Sequence, residues 1–78
     1  MRNYIAFTDD GHDFGEIHYT SDNRAGTRAN WHDARAALRR QKGLSVARKT
    51  IIKSVALCDD FGNQSAPDVD VSRYEYEG

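Results

Sequence analysis

Asp9, Asp10, His12 and Asp13 stand within five positions of one another, and carboxylates crowded around an imidazole are the raw material of a cation site. The order fits no such site. The glycine and terminal glutamate of a calcium loop are misplaced, and His18, farther along, completes no pattern. Cys58 is the only cysteine, so it provides neither a disulfide nor a zinc set. A thiol nucleophile paired with His12, His18 or His32 would need an exposed sulfur of low pKa. Val55-Ala56-Leu57-Cys58 instead has the texture of a strand interior, and His32 sits where a first helical turn meets solvent. The triplet Asp-Phe-Gly occurs at 13–15 and 60–62. It matches a kinase metal-binding motif, but the chain has no room for the lysine strand and catalytic loop that give the motif its meaning. The repeat is read as shared strand-to-turn grammar. No catalytic residue, metal site or cofactor is expected.

Charge order is more informative. Residues 1–23 carry a net charge of −4, residues 24–53 of +8 and residues 54–78 of −5, beneath a total of −1. Such blocks create fields of several kT if they separate in space, and cancel in weak surface ion pairs if they interleave. Two candidate sites follow. The acidic one comprises Asp9, Asp10, Asp13, Glu16, Asp59 and Asp60, whose carboxylates imitate phosphates toward a basic cleft. The basic one comprises Arg24, Arg28, Arg35, Arg39, Arg40 and Lys42, suited to phosphate contacts.

The elements that must position these residues are legible in part. Asn3 to Thr8 reads as a strand, and Asp9-Asp10-Gly11 as a turn in which Gly11 accepts positive φ. Phe14 to Thr20 alternates as a second strand, with Phe14 and His18 on one side and Ile17 and Tyr19 on the other. Ser21 to Ala29 is a polar, mobile connection. Asn30 resembles a helix cap with Asp33 three residues on, and the helix runs through Gln41 to a C-cap at Gly43. Trp31, Ala34, Ala37 and Leu38 share its apolar face, with Trp31 as core anchor, while Arg35, Arg39 and Lys42 form a basic stripe. Ser45 to Lys49 is ambiguous. Thr50 to Cys58 is a β-branched third strand that ends in the Asp59–Asn63 turn. Residues 64–78, with Pro67 and alternating Val69 and Val71, form either a short edge strand or a loose tail.

The whole is an α+β domain: a small antiparallel ββαβ sheet, with a fourth edge strand if the tail pairs, and one amphipathic helix on one face. Tyr4, His18 and Ser54 are expected on the uncovered side, a contact surface for another chain or a second copy. At 78 residues, with Leu, Ile, Val and Phe below a fifth of positions, the core is thin and a deep catalytic cleft is not expected. No apolar run suffices for a membrane span and no leader pattern is seen, so a soluble intracellular protein is expected.

In size, in the hairpin Tyr4–Thr20, the helix Asn30–Gln41 and the acidic turns at Asp9, Asp10, Asp13, Asp59 and Asp60, the chain resembles small phage-encoded anti-CRISPR proteins. That resemblance implies a non-enzymatic inhibitor, acting in the cytoplasm of a bacterial host, that binds a Cas effector and blocks target DNA. No residue role transfers, since that group shares no sequence signature. The competing expectation is a small nucleic-acid-binding accessory protein working through the basic helix face. A third is an interaction module that dimerises through its sheet.

Overall fold

In the computed structural model, residues 1–77 are described. Strand β1 (Arg2–Asp9) turns back into β2 (Phe14–Ser21). Helices α1 (Arg28–Lys42) and α2 (Leu44–Lys49) follow, then β3 (Ile51–Leu57), a two-residue β4 (Val69–Asp70) and a last helical turn, α3 (Arg73–Glu77). The sheet is antiparallel with order β2-β1-β3-β4. The architecture is the expected α+β one, with two short helices added to it.

Alternation along the strands assigns their faces. Tyr4 and Ala6 on β1, Ile17 and Tyr19 on β2, and Ile52 and Val55 on β3 join Trp31, Ala34, Ala37 and Leu38 of α1 in the main core. Tyr4 therefore lies under the helices, stacked on Tyr19 at 5.6 Å, and not on the open side where its position had placed it. The register supplies the reason: Tyr4 pairs with Tyr19, so the two share a face. His18 and Ser54 do belong to the side without helices, opposite Ile5 and Phe7, but that side is not bare as expected, since Ile5, Ala56 and Cys58 are buried on it. Between Phe7 and Thr8 the pairing to β3 slips, leaving Lys53 as an extra bulged residue.

Helix α1 begins earlier than its sequence suggests. Thr27 is the N-cap, and its hydroxyl accepts the Asn30 amide at 3.2 Å. Asn30 is not a cap but a fully buried polar anchor. Its side chain accepts the Tyr19 hydroxyl at 2.7 Å and donates to the Asn23 carbonyl at 2.9 Å. Asp33, expected to serve the helix start, instead accepts from Ser21 (2.6 Å) and Asn23 (3.1 Å). These bonds pin the connection expected to be mobile. Gly43 ends α1 at φ +92°, its amide bonding the Arg39 carbonyl, as its position predicts.

The C-terminal segment is packed down. Val71 and Tyr74 are buried in the core, and Tyr74 donates to the Gly26 carbonyl at 2.7 Å. Glu75 accepts the Trp31 indole N–H and the Ile52 backbone N–H, both at 3.0 Å, and lies 3.6 Å from Arg35. Arg35 also donates to the carbonyls of Thr50 (2.7 Å) and Ala47 (2.9 Å). Trp31 is thus the expected core anchor, whereas Arg35 is structural, not part of a free basic stripe.

Glu75→Ala should destabilise the fold by about 3 kcal/mol, because it strands two buried donors and a half-buried guanidinium. Glu75→Gln, which keeps an acceptor, should cost less. Urea midpoints at unchanged m-value measure both.

Candidate functional site

The two layers carry opposite charge. Helices α1 and α2 hold Arg28, Arg35, Arg39, Arg40, Lys42, Arg48 and Lys49 against Asp33 alone. Two of these cations are neutralised from α3: Arg28 by Glu77 at 2.6 Å and Arg35 by Glu75. Among the described residues, Arg39, Arg40, Lys42, Arg48 and Lys49 are exposed and have no acidic partner. Arg35, Arg39 and Arg48 flank a groove of about 290 Å³ between α1 and α2, floored by Trp31 and Ala47. Of the predicted basic set, Arg39, Arg40 and Lys42 are together in the last turn of α1. Arg28 lies at its other end, about 16 Å away along the axis, and Arg24 lies beside Met1 and Arg2.

The predicted acidic set is divided between the two ends of the sheet. Asp9, Asp10, Asp13 and Glu16 surround the β1–β2 turn. Asp59 and Asp60 follow β3, whose exit opposes Tyr4, about 17 Å from Asp9 along β1. Several of these acids hold their own turns together. Asp9 accepts the Gly11 amide, and Asp10 accepts those of His12 (2.9 Å) and Asp13 (2.8 Å). Asp59 accepts the amides of Phe61 and Asn63, both at 2.9 Å. Asp60 accepts the Asn3 side chain at 3.0 Å. No such bond ties down Asp13 or Glu16 among the described residues.

Between the two acidic ends lies the face without helices. Ile5, Ala56 and Cys58 form a small second core with Phe7 beside it. At this end the turn after β3 reaches the strands, with His18 Nε2 3.3 Å from the Gly62 carbonyl. A carbonyl only accepts, so the proton of this bond sits on Nε2. A groove of about 380 Å³ runs between this turn and the strands, past His18, Thr20, Asp60 and Phe61. Phe14 and Phe61 are 80% and 90% exposed, the most exposed aromatic rings of the described chain together with Tyr76. Phe14 carries Lys53 over its ring at 5.6 Å.

Sequence reasoning passed over Phe14 and Phe61 as binding residues, although the signal was present. Both are the central residue of Asp-Phe-Gly, and each triplet sits where a strand meets a turn, outside the apolar alternation that fills the core. Arg48 and Lys49 were missed because α2 has no apolar periodicity: only Ala47 is buried.

Cys58 does not have the surroundings of a nucleophile. Burial pushes its thiol pKa up, and Asp59 and Asp60 push it further. Among the described residues, no three His, Cys, Asp or Glu side chains converge to hold a metal ion, and no helix is long and apolar enough to cross a membrane. Comparison with protein families, curated proteins and solved structures returned no match.

The two amides on Asp10 hold its carboxyl below the ordinary 3.8, that of Asp13 contributing most, then that of His12. A depressed carboxyl stabilises its turn above the unfolded value, and that support disappears as pH falls through the lower folded value. In an NMR titration the His12 and Asp13 amides should shift together with a midpoint below 3.8, and Asp10→Asn should abolish that titration.

Proposed function

We propose that the chain is a non-enzymatic protein-binding module that uses its helix-free sheet face to block a nucleic-acid-handling partner. The observation that carries this reading is the pair of exposed rings, Phe14 and Phe61, each preceded by an acid and set where a strand meets a turn at opposite ends of the same face. Exposed aromatics framed by carboxylates suit a partner surface that is itself basic and apolar. The rings supply desolvated anchors, while the carboxylates steer approach and occupy Arg or Lys that would otherwise grip phosphates. The resemblance in size and pattern to anti-CRISPR proteins makes a Cas effector complex the partner to assay first.

Phe14→Ser with Phe61→Ser should weaken inhibition of target-DNA binding at least tenfold while shifting fold stability by no more than about 1 kcal/mol. Asp13→Lys should act mainly through association rate and salt dependence. Undiminished inhibition by the double phenylalanine variant removes this reading.

A second reading rests on the five unpartnered cations of α1 and α2, which suit a phosphate backbone; Lys42 and Lys49 line grooves shared with Asp10 of the β1–β2 turn, whereas Arg39 and Arg48 flank the groove between the two helices. Should it hold, a salt-titrated gel shift on duplex DNA should give a log–log slope of about −4.5, from about 0.9 per phosphate contact. Arg39→Glu with Arg48→Glu should abolish the shift without affecting a partner held by the sheet face. No binding at low salt removes it.

A further inference from the structure

The two edges of the sheet are unlike. β4 is two residues long, and Pro67 lies just before it, both features that blunt an edge. β2 is eight residues long, pairs with β1 without a bulge, and contains neither proline nor lysine. The direction of its free backbone groups follows from the ladder. The Cys58 amide donates to the Asn3 carbonyl, so the odd-numbered residues of β1 turn their polar groups toward β3. The even-numbered ones, Tyr4 and Ala6, then bond to Tyr19 and Ile17. That leaves Phe14, Glu16, His18 and Thr20 with N–H and C=O groups aimed outward. Among the described residues only one of these groups is taken, the His18 carbonyl, which accepts Gln41 Nε2 at 2.7 Å. A carbonyl has a second lone pair for another donor.

We infer that this edge pairs antiparallel with β2 of a second copy, joining two four-stranded sheets into one. The occupant is argued from charge. A two-fold ladder built from the outward residues has three central registers. One sets Glu16 against Glu16, and another sets His18 against His18. The third, with its axis at Ile17, sets Glu16 opposite His18 twice and Phe14 opposite Thr20 twice. Only this register uses all four outward residues and places acid beside base at each central pair. On the helix side it sets the small Gly15 beside Tyr19, so nothing bulky faces the larger ring. The joined sheet doubles the helix-free face, but the inference does not depend on what that face binds.

The test is the mass of the intact chain by sedimentation equilibrium over a wide concentration range, starting from the 8.8 kDa protomer. The wild type should show a concentration-dependent rise to twice that mass. Glu16→Lys, which sets lysine against His18, should raise the dissociation constant at least tenfold. Glu16→Lys with His18→Glu, which sets lysine opposite glutamate at both pairs, should recover most of that loss. Circular dichroism checks that all three proteins fold. Amide exchange at Glu16 and His18 should slow as concentration rises. A wild type that stays monomeric to millimolar concentration overturns the inference, as does a double variant no better than the single one.

Discussion

The Glu75 carboxylate is only 11% exposed, yet it belongs to a helical turn at the far end of the chain. An anion taken that far out of water is tolerable only where donors surround it, and here three come from two elements: the Trp31 indole and the Arg35 guanidinium of α1, and the Ile52 amide of β3. Arg35 in turn spends its other donors on carbonyls at the end of α2 and the start of β3. The fork geometry of arginine makes this possible, and a lysine could not reproduce it. Through this junction a thin core is closed at the side where the sheet is narrowest, and α3 becomes part of the fold instead of a tail.

A second junction holds the same N-terminal half of α1 to β2. Tyr19, Asn30, Asn23, Ser21 and Asp33 satisfy one another between β2 and the helix start. Burial raises the Tyr19 hydroxyl pKa well above its ordinary value, so it remains a neutral donor to Asn30. With its N-terminal half fastened to α3 and β3 and also to β2, α1 lays Ala34 and Ala37 against the sheet, and Arg39, Arg40 and Lys42 are left exposed. The strands are joined by acid-rich turns, because carboxylates accept the free amides of tight turns. Charge separation into layers is therefore a by-product of how each layer is built. It leaves one side free of helices, with aromatic rings that the core does not need.

Much of this was legible in the sequence. The α+β class, the hairpin, the body of α1 and its stop at Gly43 follow from alternation, a helical apolar stripe and a residue that tolerates positive φ. The start of α1 was not, since Asn30 has the chemistry of a cap and only burial reveals it as a core anchor. Nor were α2 and α3, too short to show periodicity and held by contacts with residues distant in the chain. Of the acidic set, the sequence shows which residues belong to turns, but a linear order does not reveal that β3 exits at the end of the sheet opposite the β1–β2 turn.

Local chemistry alone determined where strands turn, which helix face is apolar and which stretches carry each charge, because those properties depend on near neighbours and on periodicity. Tertiary structure decided which charges remain free. Arg35, Arg28 and Asp33 are bound to partners far along the chain, whereas Arg39, Arg48, Asp13 and Glu16 are not. It also decided that Phe14 and Phe61 share one helix-free face and that β2 is left with an open edge. Those outcomes depend on strand order and on the surface the helices cover, and both are settled only when distant segments meet.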